Sequence, residues 1–186
     1  MQQQLLRLLD LKMTTYNPLL LVLFRASKND GFKAADLVHA MRYIESFIVR
    51  RAFNSKVSRD LPKTFAYVAV QLALEKRGDR LLRHLIKLLV EKDWPTDKDF
   101  TPCFLSTPIY KNARETARFA LLSLERLGSN GHEVKTDKSI QIEHVFPQRP
   151  NRQTAHAHRK IQNRRTYGAV YRHTRRQGVA ARTLKL

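Results

Sequence analysis

The chain has 186 residues, a hydrophobic fraction of 42% and a formal net charge of +19, which suits one domain with a real core and an appendage. One cysteine, Cys103, excludes an internal disulfide framework. The longest apolar run, PLLLVLF at 18–24, falls far short of the about 20 residues that span a bilayer. With no signal-peptide layout, a cytoplasmic protein without a membrane partner is expected. So basic a chain points to a polyanion, nucleic acid first; the plainer reading is a merely soluble basic protein.

Residues 1–128 read as helices throughout. QQQLLRLLDLK places leucines on one helical face. Asn17-Pro18 restarts the chain, with Pro18 suited to a first turn, and opens a short, very apolar helix. After KNDG, Leu37, Met41, Ile44 and Ile48 recur at i, i+4, i+7 and i+11, one apolar stripe that runs to about Arg51. NSKVSRDLP is a linker by its polar content, and Pro62 opens a helix with Phe65, Ala69 and Leu72 on one side. Gly78 interrupts, and DRLLRHLIKLLV comes next with leucines on one face and cations on the other. WPTDKDF marks a helix start: Thr96 is placed as N-cap, and Asp99 three residues on completes a capping box. Thr107-Pro108 repeats the device for a helix carrying Tyr110, Ala113, Ala117, Leu121 and Leu124, which stops at Gly128.

The period then changes. In SIQIEHVFPQ, Ile140, Ile142, His144 and Phe146 alternate with Gln141 and Glu143, which reads as a strand. Charge changes too. Residues 1–148 hold 24 Lys/Arg against 16 Asp/Glu, and residues 149–186 hold 11 Lys/Arg and no acid. Beyond Pro150 no period is sustained.

Glu143-His144 is the pair that could carry chemistry. Phosphodiester hydrolysis needs a water deprotonated near neutral pH, which a neutral His can do. It also needs charge stabilisation, which a metal ion held by a carboxylate supplies. Neighbours on a regular strand point to opposite faces, so the two cooperate only if the strand ends there, as Pro147 suggests. The plain alternative is an edge strand with a partly buried His and a solvated Glu. Elsewhere, Arg50-Arg51 end the long helix, either as a solvated or capping pair or as a phosphate contact or brace. Arg77, Arg80, Arg83 and Lys87 share one face, either solvated or facing DNA. Trp94 and Phe100 read as core anchors. His156 and His158 read as part of a basic tail rather than a metal site.

Four segments carry a resemblance to a known family. SIQIEHVFPQRP resembles the IEHxxPQ segment that opens the HNH nuclease domain of the GmrSD-type, modification-dependent restriction endonucleases. AMRYIESFIVRRAF looks like that family's IESxxVRR helix, WPTDKDF like its WPxDxxF turn, and PIYKNARETARFALLSLE like its helix before the finger. The likeness covers about residues 10–150.

It implies a ββα-metal finger with His144 as general base, Glu143 as a metal-binding carboxylate, Mg²⁺ or Mn²⁺ as cofactor and DNA as substrate. Pro147 and Gln148 would shape the loop. Arg50, Arg51, Arg149 and Arg152 are candidate nucleic-acid contacts. An N-terminal ParB-like domain, or a partner subunit, would be encoded separately. The family's GNLTL-like strand and later asparagines have no counterpart; Asn163 and His173 are only loosely placed for those roles.

The expected architecture is mainly α: a helical domain at 1–128, the start of an HNH-like finger at 129–150, and a basic tail at 151–186. That tail is either a shifted reading frame or a DNA-binding arm. The expected function is HNH endonuclease activity from an incomplete finger. The alternatives are a non-catalytic, basic, nucleic-acid-binding helical protein and a subunit that needs a partner's ligands.

Overall fold

The computed structural model describes residues 1–55, 58–75, 77–128, 142–143 and 184–185. Its described residues are mainly helical, and the chain divides into two units, Met1–Ala120 and Leu121–Leu186. The helices are α1 (Gln2–Asp10), α2 (Asn17–Asn29), α3 (Ala34–Phe53), α4 (Leu61–Leu74), α5 (Gly78–Glu91), α6 (Asp97–Ser106), α7 (Ile109–Asn112) and α8 (Arg114–Gly128). None of the described helices is long and apolar enough to cross a membrane.

In the first unit the helices start where proline chemistry puts them. Pro18 and Pro62 sit in the first turns of α2 and α4, where a missing N–H costs nothing and the fixed φ already matches the helix. The spine is α3. Its stripe Leu37, Met41, Ile44 and Ile48 is at most 1% exposed. It meets Leu8 of α1, Leu19 and Leu23 of α2, Phe65 and Leu72 of α4, and Leu81, Leu85 and Leu89 of α5 in one core. Burying each such side chain contributes about 1.5–3 kcal/mol, so the stripe dictates which faces turn inward.

Two backbone acceptors set the direction of α5. The Gly78 N–H donates to the Asp30 carbonyl at 3.1 Å, so the first turn of α5 touches the loop before α3. At the other end the Lys92 carbonyl accepts from Arg51 at 3.1 Å. The two helices therefore run the same way. Gly78 is more than the interruption the sequence suggests. A Cβ there would lie 2.3 Å from the Asp30 oxygen and 2.4 Å from the Phe32 nitrogen.

Two expectations change. The single helix expected after Pro108 is divided at Ala113, whose backbone leaves the helical region (φ −152°, ψ 74°). Alanine is the strongest helix former, so packing rather than propensity makes this break. The break shifts the phase of α8: Thr116, Ala117 and Phe119 are buried, while Leu124 is half exposed. Thr107 also does not cap α7, which begins without a side-chain cap. Its hydroxyl donates instead to the Phe53 carbonyl at 2.8 Å, satisfying an orphan acceptor at the end of α3.

In the second unit the described strands are β1 (Ile142–Glu143) and β2 (Leu184–Lys185). They pair in parallel, with Ile142 opposite Leu184 and Glu143 opposite Lys185. The strand read from the alternating run is thus described at Ile142–Glu143.

Candidate functional site

Two of the segments singled out in the sequence meet in space. The IESFIVRR run occupies α3 from Ile44 to Arg51, and WPTDKDF leads into α6. Thr96 caps α6 as expected. Its Oγ1 accepts from the Asp99 N–H at 3.4 Å, and the Asp99 carboxylate accepts from the Thr96 N–H at 2.9 Å. This reciprocal pair fixes the turn, and the turn presents its groups to Arg50.

Arg50 reaches every marked position of the WPxDxxF turn. Nη1 donates to the Pro95 carbonyl at 3.0 Å, Nη2 donates to the Asp97 carboxylate, and Nε donates to Ser46 Oγ at 3.2 Å. The guanidinium carbon lies 5.9 Å from the Trp94 ring centroid and 5.1 Å from that of Phe100. All three nitrogens already donate, so the side chain acts as a brace. Arg51 is 7% exposed, donates to the Lys92 carbonyl and lies over the Phe47 ring at 5.3 Å. Both arginines of the motif thus clamp the end of α3 to the segment after α5.

The rest of the joint is aromatic. Trp94 packs against Tyr43 and Phe47 with centroids 6.0 and 5.8 Å apart. Phe53 packs against Phe100 and Phe104 at 5.7 and 4.8 Å, and Asn54 donates to the Asp99 carbonyl at 3.2 Å. Trp94 and Phe100 are core anchors, as read from the sequence.

Sequence reasoning missed the role of Glu45. Its carboxylate takes a two-pronged contact from Arg7, at 3.0 and 2.6 Å, and a further bond from Gln4 at 2.5 Å. Arg7 also lies over the Phe119 ring at 4.9 Å, so one acid ties α1, α3 and the start of α8 together. The available signal was a carboxylate at the edge of the Ile44–Ile48 stripe.

Of the residues with proposed chemistry, Glu143 lies on β1. His144, Arg149, Arg152, His156, His158, Asn163 and His173 lie outside the described residues. Among the described residues no group of three or more His, Cys, Asp or Glu side chains could hold a metal ion.

A family model described as "GmrSD restriction endonucleases, C-terminal domain" matches residues 94–169. No curated protein and no solved structure matches the chain. The match begins at Trp94, the first residue of the WPxDxxF turn, and contains Glu143 and His144. It also runs past Pro150 into the segment read as a basic tail. The IESxxVRR helix lies upstream of it, joined to its first residues through Arg50. The family resembled by short segments of the sequence is therefore the one matched by residues 94–169, the GmrSD restriction endonucleases, through their C-terminal domain.

Proposed function

We propose that the chain is an HNH-type DNA endonuclease of restriction against foreign DNA, acting in the cytoplasm, with a ββα-metal finger that opens at β1. The observation that supports this is the family match across residues 94–169, a segment that includes Glu143 and His144.

The reaction is hydrolysis of a DNA phosphodiester. The His144 imidazole, in its neutral form, takes the proton of the attacking water. The Glu143 carboxylate would hold Mg²⁺ or Mn²⁺. A carboxylate oxygen is the donor type those hard ions accept, which leaves the His144 imidazole free to act as the base. When bound, the ion supplies charge stabilisation at the scissile phosphate and the leaving oxygen. Arg149 and Arg152, just downstream, would hold the flanking phosphates. Arg50 and Arg51 are engaged in the brace instead. Remaining ligands would come from the rest of the matched segment or from a partner subunit.

The test is cleavage of plasmid DNA with Mg²⁺ or Mn²⁺, with His144→Ala alongside. The unsubstituted chain should nick or cut, and the variant should lose about 10²-fold or more of the rate, as expected when a general base is removed. Cleavage that survives the substitution rejects His144 as the base. Binding without cleavage under either metal rejects the enzymatic reading.

A further inference from the structure

A cationic face lies on α5, upstream of the matched domain. Its inner face is Leu81, Leu85, Leu88 and Leu89, all buried, so the opposite face is held rigidly outward. That face carries Arg77, Arg80, Arg83 and Lys87, all exposed. Arg77 pairs with Asp79 at 3.3 Å, and Lys87 approaches Glu91 at 3.9 Å. Arg80 and Arg83 make no ion pair or side-chain hydrogen bond with a described residue.

The contact of Gly78 with Asp30 sets the first turn of α5 against the loop between Lys28 and Lys33, both exposed. The loop beside the first turn of α5 is thus flanked by two further exposed cations, Lys28 and Lys33, with Asp30 between them. Cations in the first turns of a helix oppose the helix dipole, which favours acids there. Asp79 meets that preference for Arg77, whereas Arg80 and Arg83 have no acidic partner among the described residues, and an anion bound from solution would supply one.

From Arg80 to Lys87 the helix rises about 10 Å. Phosphates of one strand advance about 3.4 Å per step along the duplex axis, so the run spans about three phosphate steps. We infer that the exposed Arg80–Arg83–Lys87 face of α5 is a backbone-tracking DNA contact, separate from the cleavage residues. DNA as the polyanion rests on the proposed function. The surface itself belongs to the unit Met1–Ala120 and does not include β1.

The test is binding of the full chain to a 30-bp duplex of arbitrary sequence by fluorescence anisotropy, in EDTA so that nothing is cut, from 50 to 200 mM KCl. The triple variant Arg80→Gln, Arg83→Gln, Lys87→Gln should lower the slope of log affinity against log salt by about 2.7, or about 0.9 for each phosphate no longer neutralised. A charge-matched control, Lys63→Gln, Lys98→Gln, Lys111→Gln, removes exposed cations elsewhere and should change the slope by less than about 1. Equal slopes for the triple variant and the unsubstituted chain overturn the inference. So does an equal drop in the control, which would make net charge the cause, or an absence of duplex binding altogether. A His144→Ala chain that no longer cuts but keeps the full salt slope supports the α5 contact. One that still cuts, with the slope intact, rejects His144 as the base while leaving the contact standing.

Discussion

Removing the Arg50 side chain tests whether the two sequence segments form one joint. In Arg50→Ala the Pro95 carbonyl loses a charged donor at 3.0 Å, a bond of about 1.5–3 kcal/mol. The faces of Trp94 and Phe100 lose a cation, about 0.5–1 kcal/mol each at a partly exposed site. The ion pair with Asp97 adds little, at most about 1 kcal/mol, because that carboxylate is 86% exposed. Freed arginine rotamers return about 2 kcal/mol, which leaves a net loss of about 2 kcal/mol. Asp97→Ala should cost only about 0.5–1 kcal/mol, the surface pair plus its place in the first turn of α6.

The measurement is urea unfolding monitored by the fluorescence of Trp94, the chain's one tryptophan, which sits inside the joint. Far-UV circular dichroism of the same samples checks that the transition is shared. Arg50→Lys keeps the charge but not the planar fork, so most of the loss should remain. A loss below about 0.5 kcal/mol for Arg50→Ala, or an equal loss for Asp97→Ala, would refute the brace, since surface electrostatics alone would then explain the contact.

Gly78→Ala should destabilise by about 2 kcal/mol or more in the same assay, because the new Cβ meets backbone at 2.3 Å that cannot swing away. Gly128→Ala, where a Cβ has nothing within 4 Å, should be neutral or slightly stabilising, and equal effects would count against the close approach. Tyr16 is buried and donates to the Leu8 carbonyl at 2.8 Å, and that burial pushes its phenol above the ordinary value of 10.0. The folded chain therefore keeps a proton that the unfolded chain releases. This contribution is whole below pH 10 and is lost as pH rises through the higher folded value. Melting temperatures compared between about pH 9 and about pH 11 should fall less in Tyr16→Phe than in the unsubstituted chain, and an equal fall would assign the effect to other groups.

How much of the fold is legible in the sequence depends on the range of the forces involved. Local chemistry is readable. Pro18 and Pro62 open helices, Thr96 and Asp99 form their capping box, and the Leu37–Ile48 stripe is buried. Those signals are contained within a few helical turns. The break at Ala113 is not readable, because Ala113 is itself a strong helix former and Asn112 before it is only a weak stop signal, so packing from elsewhere decides. Arg50 can be named as a brace or a phosphate contact, but its acceptor at Pro95 is 45 residues away. Spacing marks both ends of that contact without showing that they touch. For the candidate site, residue types single out Glu143 and His144. The period-two run predicts the strand that carries Glu143, whereas a complete ligand set depends on chain brought in from a distance.

The joint also bears on where a folding unit begins. The family match starts at Trp94, yet Trp94, Phe100 and Phe104 pack on Tyr43, Phe47 and Phe53 of α3, and Arg50 binds the turn between them. Met1–Ala120 forms one compact unit, so residues 94–120 belong at once to the matched domain and to the helical core that precedes it. Cutting at the start of the match would strip three aromatic rings of their partners and remove the donor to the Pro95 carbonyl. Large apolar groups left in water lose about 1.5–3 kcal/mol each, a large share of a typical domain's stability of about 5–15 kcal/mol. The IESxxVRR helix is thus the structural floor on which the start of the matched domain is built, which gives a physical reason for the two motifs to occur together in one chain.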